Sequence, residues 1–289
     1  MSKQPPGDYE SLRAEVSARY DSLSKILQQI ARFAWDHPTD MAMGTTSVIA
    51  KQAGVQPSAL IRFAKAFNYS GFTEMQRPFQ QHVAERSASY AERFRHAGGN
   101  SNAPGESSPD SLLQEYCSAS IAALEQLQHG VDSASLQKAT GLLEQADSIY
   151  IIGQRRSYPV AAYLSYSLNH VIPKAHLLHG IGGMLTEQCQ TMRTKDVLLA
   201  ISFSPYSEDT RMVVADARER NIPVIVISDS TLSTVASLAN VCFEIREAEL
   251  YSFRSLGASM CLAQTLTTSL VVRQGVPPKK APKKKRKMK

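Results

Sequence analysis

The chain is 289 residues long, which at about 150 residues per domain favours two domains and leaves enough apolar surface for a sizeable core. Apolar residues make up 43% and charged residues 20%, and no stretch approaches the ~18 uninterrupted apolar residues of a membrane span, so an integral membrane protein is excluded and no membrane partner is expected. Lys and Arg number 32 against 26 acids, a net +6, but eight of the cations fall in residues 279–289; the rest, 24 basic against 26 acidic, is at −2 and cannot be read as a polycation.

The N-terminal segment MSKQPPGDYE has no apolar core behind its lysine, unlike a secretory signal. Cysteines 117, 189, 242 and 261 form no CxxC pair, which argues against a zinc site or a disulfide framework. A reducing cytoplasm, no metal and no cofactor are therefore expected.

From Tyr9 to Arg95 apolar residues recur at helical spacing, as in Leu23, Ile26, Leu27, Ile30 and Phe33, without a valine-rich strand pattern. This predicts an all-helical module over residues 9–95. Residues 98–109, GGNSNAPGESSP, have almost nothing to bury and read as a linker.

Over residues 110–275 short apolar runs alternate with helical stretches: Ser148–Ile152, Ala175–Leu178, Val197–Ser202, Pro223–Ser228 and Val241–Ile245. Most are apolar throughout, as strands covered on both faces are, and crossover-length spacers imply parallel pairing. The expectation is an all-α module followed by a three-layer α/β domain with a five-stranded parallel sheet. Residues 276–289 form a Pro/Lys tail.

Within residues 44–67, a short helix from Thr46 to Ala53 meets Gly54, which can take the positive φ of a tight interhelical turn, and a second helix starts at Pro57. Leu60, Ala64 and Phe67 share one face of it; Ser58, Arg62 and Lys65 share the opposite one. The second helix of such a pair enters the DNA major groove, where Ser, Gln and Arg read base edges or grip phosphates. Spacing alone fits a helical hairpin with a solvated face equally well.

The block IAKQAGVQPSALIRFAKAFNYSGFTEMQ resembles the helix-turn-helix domain of the RpiR family of bacterial transcriptional regulators, which usually carries Arg-Phe, a few residues, then Gly-Tyr-x-Gly-Phe. Those positions are Arg62, Phe63, Asn68, Tyr69, Ser70, Gly71 and Phe72. Asn68 replaces the usual Gly and tolerates a left-handed cap. Gln56 stands for the usual N-cap Ser and Ala59 for a frequent Thr. The resemblance implies a double-stranded DNA operator as partner, contacted by Gln56, Ser58, Ala59, Arg62 and Lys65.

Two strand-to-helix junctions in the α/β domain suit anions. Ser202-Phe203-Ser204-Pro205-Tyr206-Ser207 gathers three serines before a helix, and Gly153-Gln154-Arg155-Arg156-Ser157 offers a serine and two cations. Free N–H groups, the helix dipole and hydroxyls would stabilise a phosphate or carboxylate there, at the sheet edge where ligands collect. On spacing alone, Ser207 as a plain N-cap among turn residues is the favoured account of the Ser202–Ser207 junction.

Residues from about 112 to 275 resemble a SIS domain, the sugar-isomerase module that follows the helix-turn-helix in RpiR-type regulators. Its loops usually run Gly-x-Gly-x-Ser and Ser-x-Ser-Gly-x-Thr/Ser; Ile227-Ser228-Asp229-Ser230 and Ala236 to Asn240 also resemble later family stretches. Arg155 fills the second Gly of the first loop and Pro205 the Gly of the second. Proline removes a donor, whereas arginine adds a bidentate partner for an anion. The resemblance implies a small anionic sugar-like effector held by Gly153, Arg155, Arg156, Ser157, Ser202, Ser204 and Ser207, in a homo-oligomer, dimer or tetramer.

His179-Gly180-Ile181-Gly182-Gly183 lacks the setting of a dinucleotide fingerprint and reads as a turn. His176 and His179 have no third metal ligand in view. Met184, Met192, Met212 and Met260 are expected in cores. The ending PKKKRKMK matches a short nuclear-import pattern, by coincidence in a bacterial-type chain; such a polycation binds DNA phosphates without sequence preference, or is simply solvated.

A sugar-effector-sensing transcriptional regulator with no catalytic residues is the favoured reading. The alternative is a sugar-phosphate isomerase with Glu187, Glu208 or Asp209 as base, and a bifunctional protein is a third. An isomerase has no use for residues 1–95.

Overall fold

The computed structural model describes residues 4–87, 108–251 and 253–275. The expected residues 88–95, residues 98–107 of the linker and the tail at 276–289 lie outside the described residues.

The N-terminal module is helical: α1 (Tyr9–Arg19), α2 (Lys25–Asp36), α3 (Pro38–Met43), α4 (Thr46–Gln52), α5 (Pro57–Ala66) and α6 (Phe72–Ser87). Asp8 caps α1 by accepting from the Ser11 N–H at 2.8 Å, which satisfies one of the orphan donors of the first turn. The buried face of α2 carries Ile30, Ala31, Ala34 and Trp35, while Ile26 is largely exposed. Leu23, Leu27 and Phe33 of the expected stripe also pack against this core, so only Ile26 departs from the spacing. Tyr9 sets its ring edge-on to Trp35 and Phe79. Gln76 and Gln80 of α6 donate to the carbonyls of Met41, Gly44 and Ala42, satisfying acceptors left open at the end of α3.

The second domain opens with α7 (Pro109–Gly130), capped by Ser108, and α8 (Ser133–Gln145). Pro109, expected at the linker's end, is instead the first residue of α7. There follow β1 (Ile149–Gly153), α9 (Tyr158–Val171), β2 (Ala175–Leu177), α10 (Leu185–Gln190), β3 (Val197–Ser202), α11 (Glu208–Glu219), β4 (Val224–Ser228), α12 (Thr234–Ser237) and β5 (Val241–Glu244). A two-stranded hairpin, β6 (Glu249–Leu250) and β7 (Phe253–Arg254), precedes α13 (Gly257–Arg273).

The five main strands are parallel in the order β2-β1-β3-β4-β5. Alternate residues of each strand feed different cores. Ile149, Ile151, Leu199, Ile201, Ile225 and Ile227 pack with α8, α9 and α13; Tyr150, Ile152, Leu198, Ala200, Val224 and Val226 pack with α10 and α11. Covering both faces is what makes the runs apolar throughout.

Met192 is buried, but Met184 and Met212 are about half exposed, so the expectation that all four methionines fill cores fails for these two. Met184 sits at the entry to α10 and Met212 on the solvent side of α11, where nothing covers them. Residues 181–183 form a helical turn whose glycines 182 and 183 have positive φ, as does Gly180 before it, which fits the turn expected there. Among the described residues, no helix is long and apolar enough to cross a membrane, and no group of three His, Cys, Asp or Glu could hold a metal.

Candidate functional site

The helical hairpin forms as its residues dictate. Gly54 takes φ +66° between α4 and α5, a conformation in which a side chain would be strained. Leu60, Phe63, Ala64 and Phe67 are fully buried. Asn68 adopts φ +68° at the end of α5, and the Tyr69 N–H returns to the Ala64 carbonyl at 3.2 Å, the left-handed helix stop expected of an Asn in a glycine's place. Gln56, Ser58, Arg62 and Lys65 are exposed on the opposite side, as is Lys51 of α4. Ala59 is not with them: it is 1% exposed, its methyl packed among the core residues of the module. A methyl so placed cannot reach a base edge, which corrects its assignment to the DNA contacts.

In the second domain, strand order makes the site. The chain leaves β1 towards β2 on one side and returns to β3 on the other, so β1 and β3 are neighbours, with Gly153 beside Ile201. The loops that leave their carboxyl ends diverge to opposite faces and open a crevice between them. A cavity of about 300 Å³ fills that crevice, lined by Gln154, Arg155, Arg156, Ser157, Ser202, Ser204, Pro205, Ser207 and Thr210 among others. Six of the seven residues expected at an effector site line this one cavity.

Gly153 is the seventh, and it acts from behind. A Cβ there would sit 2.9 Å from the Ser157 carbonyl and 3.0 Å from the Ala161 side chain, so its small size lets the first loop fold back onto β1. Arg155 takes φ +54°, the left-handed region where the family's usual glycine would rest without strain. Its side chain is exposed at the cavity mouth.

Ser157, Ser202 and Ser204 are each nearly buried. Ser207 occupies the N-cap position of α11, yet its side chain makes no capping hydrogen bond, so plain capping does not explain it. The cavity thus faces the start of α11, where free N–H groups and the helix dipole favour an anion; at the start of α9 the Ser157 and Tyr158 N–H groups already donate to the Gln154 and Arg155 carbonyls and Pro159 has none, so that helix offers its dipole alone. Thr210 adds a residue that the sequence did not single out: it is fully buried in the first turn of α11, lines the cavity, and its Oγ1 has no hydrogen-bond partner among the described residues. A hydroxyl left unsatisfied at such a place costs about 1–3 kcal/mol, which a ligand oxygen would offset.

Behind the second loop, the Ser204 N–H donates to both carboxylate oxygens of Asp229, at 3.3 and 3.2 Å, and the Tyr206 hydroxyl donates to Oδ1 at 2.9 Å. Of the three carboxylates considered as bases, none lines the cavity. Glu208 is paired with Arg211 at 2.8 Å, and Glu187 and Asp209 are exposed.

Comparison with known proteins agrees with this layout. Residues 11–86 match the family model described as helix-turn-helix domain, rpiR family, and residues 142–269 match the SIS domain. The HTH-type transcriptional regulator HexR of Pseudomonas aeruginosa is 22% identical over 276 residues, 92% of this chain and 91% of that protein. Among solved structures, the sugar isomerase domain of an RpiR transcription factor from Sphaerobacter thermophilus superposes with a TM-score of 0.55 at 23% identity, over 57% of this chain and 92% of its own. The Vibrio vulnificus NanR protein complexed with ManNAc-6P has a TM-score of 0.56 at 17% identity, over 91% of this chain and 92% of its own. With its helix-turn-helix and SIS segments both matched and in that order, the chain belongs to the RpiR family of helix-turn-helix transcriptional regulators that carry a SIS domain.

Proposed function

We propose that this regulator binds its operator through the exposed face of α5 and senses a phosphorylated sugar or sugar acid in the cavity between the β1 and β3 loops, without catalysing a reaction. The observation that carries the reading is the convergence of serine hydroxyls, two arginines, two helix starts and the orphaned Thr210 hydroxyl on one small cavity. Such a donor set suits a phosphate. The similar NanR protein is described in complex with a sugar phosphate, ManNAc-6P, which supports the same class of ligand here.

Absence of catalysis is favoured by the lining, which supplies donors but includes none of Glu187, Glu208 and Asp209. An isomerase needs a base within hydrogen-bond reach of the sugar carbons. The bacterial cytoplasm, where the chromosome is, is the proposed place of action.

We further propose a dimer, or a tetramer built from dimers. On α7 the exposed Leu113, Cys117, Ile121 and Leu124 recur at helical spacing on one face, a stripe that a second copy would bury. Two-fold symmetry then implies paired half-sites in the operator.

Calorimetry with a panel of sugar phosphates, run beside an assay for isomer formation, tests the reading. Saturable binding without turnover supports it. Turnover of any bound sugar phosphate would replace it with the isomerase.

A further inference from the structure

Asp229 follows β4 at the same sheet edge as the cavity, and its side chain is 9% exposed. On one side it holds the second loop through the Ser204 N–H and the Tyr206 hydroxyl. On the other it meets α1 of the DNA-binding module. Arg13 Nη1 lies 3.4 Å from Oδ2, and Arg13 Nη2 donates to the Asp229 carbonyl at 2.6 Å. Arg254, from the β6–β7 hairpin, lies 3.7 Å from the same carboxylate, with its guanidinium over the Phe203 ring at 5.6 Å.

Ser204 is common to two spaces. It lines the 300 Å³ cavity and also a cleft of about 650 Å³ between the modules, where Arg13, Asp229 and Arg254 are further walls. One buried carboxylate therefore joins the anion-suited loop to the first helix of the other module.

We propose that Asp229 is a positioning residue for the effector loop and Arg13 its cross-domain partner, so that effector binding and docking of the DNA-binding module favour each other. The proposal rests on the reading of the cavity as an anion site. Arg13 fixes the carboxylate, the carboxylate fixes the Ser204–Tyr206 segment, and the ordered segment presents its serine to the ligand. Because coupling between two equilibria is reciprocal, a ligand that orders the segment strengthens the hold on α1 by the same factor. Ionisation of Asp229 suits this role: burial opposes it, but Arg13, Arg254 and the Tyr206 hydroxyl outweigh burial and keep the carboxyl below its ordinary range.

The test uses the full chain, inorganic phosphate as the probe, and hydrogen exchange read at residues 9–19 and 203–209. In the parent, phosphate should slow exchange in both segments. Arg13→Met, which keeps the packed stem and removes the charge, should weaken phosphate binding by about fivefold or more and speed exchange at residues 203–209, in a domain it does not belong to. Arg13→Lys should restore part of both effects, and Lys25→Met, an exposed cation in the same module, should leave both unchanged. Should Arg13→Met unfold the module, Asp229→Asn supplies the same two readouts from the other side. Equal phosphate binding and equal exchange in parent and Arg13→Met would overturn the coupling alone. A parent that takes no phosphate would overturn the anion site and, with it, this proposal.

Discussion

Asp36, the last residue of α2, and Thr234, the first of α12, are hydrogen-bonded across the domain boundary. The Thr234 N–H donates to Oδ1 at 3.2 Å and its hydroxyl donates to Oδ2. Burial pushes the Asp36 carboxyl from its ordinary 3.8 up to about 6, against the Thr234 N–H and the Arg211 and Arg32 charges, which lower it, while Glu208 adds to the rise.

A carboxyl with a raised folded-state pKa binds its proton more tightly in the native chain, so its contribution is complete below 3.8 and is lost as pH rises through about 6. Stability between those values should therefore fall with rising pH by this group's share. Asp36→Asn, which stays neutral, should be more stable than the parent above pH 6 and flatten that part of the profile. Urea midpoints at pH 4, 6 and 8 for parent and variant check it, and parallel profiles would contradict it.

Thr210→Val should separate stability from binding. The swap removes a buried hydroxyl that has no partner among the described residues, so the folded chain should be unchanged or more stable by about 1 kcal/mol. Sugar-phosphate affinity should fall about tenfold, in line with a lost hydrogen bond to a charged group. Thermal unfolding and calorimetry on the same preparation measure both; a loss of stability would show that the hydroxyl has an internal role.

Arg155→Gly should show the same pairing of effects at a different position. Glycine relieves the left-handed backbone at φ +54°, for a gain of about 1 kcal/mol partly offset by the greater freedom of the unfolded chain. It also removes a guanidinium from the cavity mouth, so anion binding should weaken and become less sensitive to salt. Affinity equal to the parent's at low ionic strength would show that Arg155 faces solvent only.

Much of this could be read before the structure because local chemistry decided it. Gly54 and Asn68 stand where the backbone turns left-handed, and the five apolar runs are strands sandwiched between layers. What escaped depends on distance along the chain or on packing depth. Arg13 and Asp229 are separated by 216 positions, with no periodicity to link them. The β6–β7 hairpin that carries Arg254 has two residues per strand, too few to alternate. Thr210 reads as any residue of an amphipathic first turn. Ala59 and Gly153 matter for small size at close approaches, and spacing does not reveal depth.

On the DNA side, Arg62 and Ser58 are exposed on the polar face of α5. Arg62→Ala should cost about 1–3 kcal/mol of operator affinity if it reads a base, with random DNA much less affected. A mobility-shift titration of Arg62→Ala with Ser58→Ala checks this, and unchanged operator affinity would remove α5 as the reading helix.

One chain reads DNA with its first module and a sugar phosphate with its second, and the second reading alters the first. Fluorescence anisotropy of the chain's own upstream DNA, titrated with protein at fixed salt, with and without each sugar phosphate that calorimetry shows to bind, reads this coupling. Such a ligand should shift the parent's midpoint by about fivefold or more and leave the Thr210→Val midpoint nearly still at the same ligand concentration. A midpoint that no bound sugar phosphate moves, or one that moves equally in both proteins, would contradict it.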